Sequence, residues 1–220
     1  MIAVVAALRR ELMYVWRRMR DVSRLPVAPC PAWSGTLGGR RLLVVASGMG
    51  EAAATQAMDW VLAQGVGCVL SVGFAGACGE LGIGELIVPA WVCDESGTRL
   101  ELEGKGRLLT VRGIVGPEEE RKLDADAVDR ETFHVVRRCQ GVGVPVGSLR
   151  AISDTPARSL SPFLAEVLCS ERVRMGALAL AVFRRPWLLG DLWRLARDSD
   201  AAARSLAEGI ERRAMAGWTP

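Results

Sequence analysis

The amino-acid sequence predicts an α/β protein with three αβα layers built on a twisted, mostly parallel mixed sheet. Short apolar runs typical of buried strands alternate with segments of helical spacing between Ile2 and Ile152. Half of the 220 residues are hydrophobic, which is enough apolar material for one large core. From position 160 onward the spacing is helical. We therefore expect a single domain over residues 1–220, with a helical C-terminal extension over 160–220.

The predicted elements follow one another along the chain with short connections. Gly38-Gly39 is typical of a hairpin turn, and residues 74–79 form a glycine-rich turn. Residues 94–126 are polar, and within them 117–122 is predicted to be a solvated loop or a frayed helix. We predict strands over 2–7, 33–37, 41–46, 67–73, 85–92, 127–131 and 144–152, and helices over 9–20, 51–64 and 132–140.

Composition excludes several classes of function. The net charge is only +3 and no face or tail collects the 28 Lys and Arg residues, which argues against a nucleic-acid partner. The six cysteines form no CxxC pair and indicate free thiols in a reducing compartment. The single histidine, His134, argues against a zinc site and against a histidine-based triad, so we expect no metal.

The N-terminus does not have the order of a secretory signal. Its apolar run, residues 2–8, precedes Arg9 and Arg10, whereas a signal peptide begins with its basic residues. No run reaches the ~20 apolar residues that span a bilayer. We expect a soluble, cytoplasmic protein.

Three carboxylates, Glu11, Glu131 and Asp154, fall at predicted strand ends or just beyond them. Ligands bind at the carboxyl ends of strands in open α/β sheets, so these residues are candidates for a site. Each also has a purely structural interpretation. Glu11 fits a solvated helix residue, Glu131 a first-turn acid facing a helix dipole, and Asp154 a helix cap before Thr155.

Two glycine turns follow predicted strands, Gly48-Met-Gly50 and Gly73-Phe-Ala-Gly76. Backbone amides at such turns can hold a phosphate or sugar oxygens, although tight strand-to-helix turns explain the same glycines.

Seven motifs over residues 2–92 and 127–156 resemble, in order, the phosphorylase superfamily, which includes purine nucleoside phosphorylases and methylthioadenosine/S-adenosylhomocysteine nucleosidases. The motifs are Ala-Ala-Leu-Arg-Arg-Glu11, Gly35-x-Leu-Gly-Gly39, Ser-Gly-Met-Gly50, Ser-Val-Gly-Phe-Ala-Gly76, Leu81-Gly-Ile-Gly-Glu-Leu-Ile-Val88, Val128-Asp-Arg-Glu131 and Val144-Pro-Val-Gly-Ser-Leu-Arg-Ala-Ile-Ser-Asp154. The resemblance implies the phosphorylase/nucleosidase fold and cleavage of a purine nucleoside at its N-glycosidic bond.

The resemblance also implies roles for individual residues. Asp154 matches the general acid that protonates the purine at N7, and Glu11 matches the residue that orients and deprotonates the attacking water. Glu131 matches the carboxylate that binds the ribose hydroxyls. The remaining residues expected to bind substrate are Arg130, Met49, Gly50, Phe74, Ala75, Gly76 and Ser153.

Some positions depart from the family pattern. Arg130 stands where the family has Met, which alters the sugar pocket. Ser71 and Phe74 stand where hexameric phosphorylases carry phosphate-binding Arg and Ser, although Arg9 and Arg10 could supply charge from another side. We therefore expect water as the nucleophile and no cofactor. Phosphorolysis with phosphate as co-substrate, a methylthioadenosine or futalosine nucleosidase, and an inactive nucleoside-binding protein remain the alternatives.

The middle segment is shorter, and the C-terminal tail longer and richer in arginine, than in typical nucleosidases. This combination most resembles the hopanoid-associated branch, whose members are thought to release adenine from adenosylhopane. In the tail, an apolar stripe between Val182 and Leu195 is flanked by Arg184, Arg185 and Arg194. Such a stripe packs in a core, pairs two subunits or contacts a lipid surface. Relatives form homodimers, and we expect the same here.

Overall fold

The computed structural model describes residues 1–113, 117–120, 122–156 and 188–216 of the chain. The described strands form one mixed sheet in the order β2-β3-β4-β1-β5-β10-β9-β7-β8, with β11 paired to β5 and β6. The strands are β1 (Ile2–Ala6), β2 (Arg20–Arg24), β3 (Ala32–Leu37), β4 (Arg40–Ala46), β5 (Cys68–Ala77), β6 (Leu86–Ile87), β7 (Pro89–Asp94), β8 (Arg99–Glu101), β9 (Gly106–Thr110), β10 (Ala127–Asp129) and β11 (Val146–Asp154).

Helices cover both faces of this sheet, which confirms the predicted α/β fold. Alternate residues of β1 point to opposite faces. Val4 and Ala6 pack in one cluster with α1 and α5, whereas Ala3 and Val5 pack in another with α2 and α4. The helices are a 3-10 turn (Arg9–Leu12), α1 (Met13–Arg18), α2 (Glu51–Ala63), α3 (Pro117–Glu120), α4 (Thr132–Gln140) and α5 (Leu188–Met215).

Strand β5 changes partner along one of its edges. Its first residues, as far as Ser71, pair in parallel with β1, and Gly76 and Ala77 pair antiparallel with β10. The opposite edge of β5 pairs with β11 from Val69 to Gly76. Between Ser71 and Gly76, no strand in the described part of the chain occupies the first edge. Such a break leaves backbone groups free and forms a crevice in the sheet.

Several predicted boundaries are wrong, and strand pairing explains why. Residues 74–77, predicted as part of a turn, continue β5 because β11 pairs with 74–76 and β10 pairs with 76–77. The helix predicted over 9–20 ends at Arg18, and the chain enters β2, which pairs with β3. The polar segment 94–126 contains β8 and β9, which add to the edge of β7.

Two further boundaries bear on the site. The strand predicted over 127–131 ends at Asp129, so Glu131 is the residue that caps α4 rather than the end of a strand. The strand predicted over 85–92 is divided into β6 and β7, with Pro89 as the first residue of β7, a position where its missing N–H is tolerated. Strand β11 runs on to Asp154.

In the predicted C-terminal extension, residues 188–215 are helical, and 160–187 lie outside the described residues. The part of the predicted apolar stripe at 182–187 also lies outside them; of its members on α5, Trp193 is exposed and Leu192 and Leu195 are partly buried. The buried face of α5, with Ala202, Leu206 and Ile210, packs on β11 and β5. Within the described ranges, no helix is both long and apolar enough to cross a membrane.

Candidate active site

Two of the three predicted carboxylates, Glu11 and Asp154, lie close to the backbone of β5 at the break. Glu11 Oε1 lies 2.8 Å from the position that a Cβ on Gly73 would take, and Asp154 Oδ2 lies 2.8 Å from the corresponding position at Gly76. A side chain at either glycine would displace a carboxylate. The two glycines are thus needed for this close approach and not for a turn.

Glu11 is buried and bound by backbone amides. The N–H of Phe74, on the free edge of β5, donates to Oε1 at 2.7 Å, and the N–H of Leu8 donates to Oε2 at 2.7 Å. Burial raises the pKa of Glu11, and the two amides and Arg150 oppose that rise. The side chain is 4% exposed, so the solvated-helix interpretation is wrong.

Glu131 accepts a hydrogen bond at the N-terminus of a helix. The helix is α2, whereas the sequence predicted the helix that follows Glu131 itself, α4. The N–H of Gly50, which caps α2, donates to Glu131 Oε1 at 2.8 Å. Burial raises the pKa of Glu131 to about 7, and the neighbouring charges of Asp129 and Glu11 add to the rise. Its second oxygen takes no hydrogen bond from the described residues.

Asp154 is the last residue of β11 and lies beside Gly76, whose Cβ position is also approached by a methyl group of Val128 at 3.3 Å. The hydroxyl of Ser153 donates to its Oδ1 at 2.6 Å. Burial raises the pKa of Asp154, and the Ser153 hydrogen bond only partly opposes the rise. A carboxyl with a raised pKa holds its proton to a higher pH than an exposed one, which suits it to act as an acid.

The structure adds two residues to which sequence analysis assigned no role, Arg150 and Asp129. Arg150 is 2% exposed, and its Nε donates to Asp129 Oδ2 at 2.8 Å. Thr110 Oγ1 and Thr132 also bond to Asp129, and Ser71 Oγ accepts from Arg150 at 2.8 Å. The signal was present, because Arg in an apolar strand requires a buried partner of opposite charge.

Arg150 also reaches the Glu11 side of the break. Its Nη1 lies 3.2 Å from the Cβ position of Gly73, beside Glu11 Oε1. The positive charge of Arg150 lowers the pKa of both Glu11 and Glu131. One buried guanidinium thus forms an ion pair with Asp129 and also lowers the pKa of two other carboxyl groups.

The other predicted substrate residues lie along the same region with different exposures. Met49 is 37% exposed beside Gly50, and Phe74 is half-buried. Ala75 points into the apolar core, so only its backbone can face a ligand. Arg130 donates to the carbonyl of residue 112 at 3.1 Å.

The residues at the expected phosphate-binding positions, and the two arginines that could replace them, either contact other groups or cannot bind phosphate. Ser71 accepts from Arg150, and Phe74 is apolar. Arg10 donates to the Ala196 carbonyl on α5 at 2.9 Å, and the Arg9 guanidinium lies 5.5 Å from the centre of the Trp33 ring. This arrangement leaves Arg150 as the cation that contacts the break.

A separate cleft of about 1070 Å³ lies next to strands β6 and β9. It is lined by residues 78–81, 85–88, 104–107 and parts of 123–126. None of the predicted site residues lines it, so it is not the site described above.

The family of the chain follows from comparison with known proteins. A family model described as the phosphorylase superfamily matches residues 1–120, more than half of the sequence. The chain therefore belongs to the phosphorylase superfamily.

Solved structures share the fold at low sequence identity. A 5'-methylthioadenosine/S-adenosylhomocysteine nucleosidase from Neisseria meningitidis, in complex with methylthio-immucillin-A, gives a TM-score of 0.75 at 18% identity over 98% of both chains. The nucleosidase of the same description from S. pneumoniae gives 0.74 at 15% identity over 99% of both chains. Futalosine hydrolase of Helicobacter pylori gives 0.72 at 19% identity over 98% of this chain and 97% of that one. No curated protein sequence matches the chain.

The raised pKa of Glu131 predicts a dependence of stability on pH. A carboxyl whose pKa rises on folding stabilises the protein fully below its ordinary pKa of 4.5, and that contribution is lost as the pH rises through about 7. Measured against Glu131→Gln by urea unfolding, the wild-type free energy of unfolding should fall between these pH values by on the order of 1–3 kcal/mol. Glu118→Gln, at an exposed position, should show no such difference. A flat difference for Glu131→Gln would show that Glu131 ionises normally.

Proposed function

We propose that this protein hydrolyses the N-glycosidic bond of a purine nucleoside. The observation that carries the proposal is the pair of carboxylates held against β5, Glu11 at Gly73 and Asp154 at Gly76, with Glu131 close to Glu11. The known family and the names of the similar structures, nucleosidases and a futalosine hydrolase, support this class of reaction.

Asp154 is the general acid in this proposal. Departure of a purine from ribose places negative charge on the base unless N7 receives a proton. The partly buried Asp154 has a pKa raised by desolvation and therefore retains a proton to donate at higher pH than an exposed Asp. Ser153 fixes the orientation of its carboxyl group.

Glu131 is proposed to hold the sugar. Gly50 occupies one carboxylate oxygen, which leaves the other to accept hydrogen bonds from the ribose hydroxyls. As the C1′–N bond breaks, the ribosyl group becomes cationic, and a nearby carboxylate stabilises that charge most in the transition state.

Glu11 is proposed to orient water and accept its proton. Two backbone amides fix the Glu11 carboxylate, and Arg150 Nη1 lies beside it as a second group able to hold an oxygen. The commitment of Ser71, Arg9 and Arg10 to other partners favours water over phosphate. The proposed reaction needs no cofactor.

We extend the proposal to a substrate with a large apolar 5′-group, of which adenosylhopane is the example. Leu8 precedes the Glu11 turn and is 38% exposed, and Met49 precedes Gly50 and is 37% exposed. Exposed apolar side chains next to the sugar-binding residues favour an apolar substituent over water at that position.

Loss of the acid should slow the reaction without unfolding the protein. Asp154→Asn should lower the rate of base release by about 10²–10⁴, because a positioned acid contributes that much. Release of adenine and hypoxanthine from their nucleosides can be followed by mass spectrometry. The matched change Asp124→Asn, at a carboxylate that is 92% exposed, should have no effect. Turnover within twofold of wild type in Asp154→Asn would reject Asp154 as the acid.

The nucleophile is tested by varying phosphate. Base release should proceed at the same rate with and without phosphate and should yield the free sugar, and Glu11→Gln should abolish it. The sugar product is identified by mass spectrometry. Saturable stimulation by phosphate with accumulation of the sugar 1-phosphate would instead make the protein a phosphorylase, with Arg150 as the available cation.

The 5′-group is tested by a series of 5′-alkyl adenosines. Each methylene buried is worth about 0.8 kcal/mol, so kcat/KM should rise with chain length and exceed the value for methylthioadenosine. Met49→Ser should reduce this dependence on chain length. Equal or better turnover of methylthioadenosine would limit the substrates to small nucleosides.

A further inference from the structure

Glu120 is a buried carboxylate to which the proposed reaction assigns no role. It is the last residue of α3, in the acidic run that the sequence predicts to be a solvated loop or a frayed helix. Glu118 and Glu119 of this run are exposed, whereas Glu120 is only 7% exposed. Burying a carboxylate costs free energy, so the fold holds Glu120 in this position against the preference of its charge for water.

The Glu120 side chain points towards β5, at the glycine beside which Asp154 lies. Its Oε1 is 3.3 Å from the position that a Cβ on Gly76 would take, and Asp154 Oδ2 is 2.8 Å from the same position. Burial raises the pKa of Cys78, two residues further along β5, to about 12, and the charge of Glu120 adds to the rise. Two carboxyl groups from different parts of the chain thus converge over Gly76, which has no side chain of its own.

The two carboxyl groups can take opposite parts in a pair of hydrogen bonds. Ser153 donates to Asp154 Oδ1, so Oδ2, the oxygen that faces Gly76, is the one placed to carry a proton. Burial raises the pKa of Asp154, and two carboxyl groups that approach one point do not readily ionise together. With the proton on Asp154, the pair offers a donor and an acceptor side by side.

Adenine presents the complementary pattern along one edge of its ring. Its N7 is an acceptor and the neighbouring 6-amino group is a donor, whereas a 6-oxopurine has acceptors at both N7 and O6. A protonated Asp154 at N7 therefore leaves Glu120 next to the 6-substituent. In that position a carboxylate accepts a hydrogen bond from an amino group and repels a carbonyl oxygen.

The geometry points to Glu120 as a specificity-determining residue, which binds the 6-amino group of the base and makes the site selective for adenine over 6-oxopurines. This inference rests on the proposed function, because it takes the purine to lie with its N7 at Asp154. Other contacts of Glu120 are compatible with it, since a carboxylate accepts several hydrogen bonds at once. A polar site of this kind rejects strongly a ligand that leaves its buried group unpaired.

Binding of free bases tests the inference without catalysis. By isothermal titration calorimetry, the wild-type protein should bind adenine about 10- to 100-fold more tightly than hypoxanthine, the range expected for a hydrogen bond to a charged group. The same preference should hold over 6-methylpurine, which has the shape of adenine but no donor at C6. Glu120→Gln should reduce the preference over hypoxanthine by about tenfold or more, because an amide accepts from an amino group but also donates to a carbonyl.

Two comparisons separate recognition of the base from effects on folding. The affinity for 6-methylpurine should stay within about twofold of the wild type in Glu120→Gln, because no hydrogen bond to that ligand is lost. Glu118→Gln, which changes an exposed acid of the same helix, should leave all three affinities unchanged.

The second experiment measures the same selectivity in turnover. The substrates are an adenosine and an inosine that carry the same 5′-group. The ratio of their kcat/KM values should fall by about tenfold or more in Glu120→Gln, because the lost interaction is made with one base only. Asp154→Asn should slow both substrates, since both leaving bases take their proton at N7.

The outcomes distinguish this inference from the proposed function. Equal wild-type affinities for adenine and hypoxanthine, or an adenine preference that survives in Glu120→Gln, would overturn the role of Glu120. A loss of affinity for 6-methylpurine as large as the loss for adenine would also overturn it, since that result indicates a structural role. Base release without preference for adenosine would support the proposed function and overturn this inference. Selective adenine binding, lost in Glu120→Gln, by a protein that releases no base would support the inference and reject the proposed function.

Discussion

The buried ion pair between Arg150 and Asp129 is the constraint on which the site depends. A guanidinium that is 2% exposed is stable only with hydrogen-bonding partners, and Arg150 finds them on β10, β5 and α4. Three elements are thereby fixed relative to β11. Arg150 forms its ion pair with Asp129, and its charge only partly opposes the burial that raises the pKa of Glu11 and of Glu131.

The change of partner along β5 provides the place for these groups. If β1 and β10 met edge to edge beside β5, the amide of Phe74 would belong to the sheet, and no free donor would face Glu11. The break frees that amide, and the 2.7 Å hydrogen bond to Glu11 satisfies it. The same carboxylate therefore completes the backbone hydrogen bonding of the fold and, in the proposed reaction, would act as the base. Structural and catalytic interpretations of Glu11 are not exclusive.

The C-terminal helix α5 packs against the elements that carry Glu11, Arg150 and Asp154. Helix α5 packs on β11, which carries Arg150 and Asp154, and contacts the turn that carries Glu11. Tyr14 of α1 donates to Asp200 of α5 at 2.6 Å across 186 positions of sequence. The N-terminal turn that carries Glu11 and the strand that carries Asp154 thus both pack on one helix. A change in the packing of α5 would reach both residues.

The sequence by itself determined the α/β class and helices α2 and α4 almost to the residue, and it singled out three carboxylates whose pKa the folded structure raises. Periodicity and motif order are local properties, and these features depend on them. The tertiary structure decided the rest. Only pairing with β11 and β10 made residues 74–77 part of a strand, because a strand's pairing partner is not visible in local spacing. Only the packing of α2 beside α4 brings Gly50 to the carboxylate of Glu131. Only burial among three elements pairs Arg150 with Asp129. The free-energy cost of an unpaired buried charge arises only once the chain has folded, so local sequence does not show this pairing.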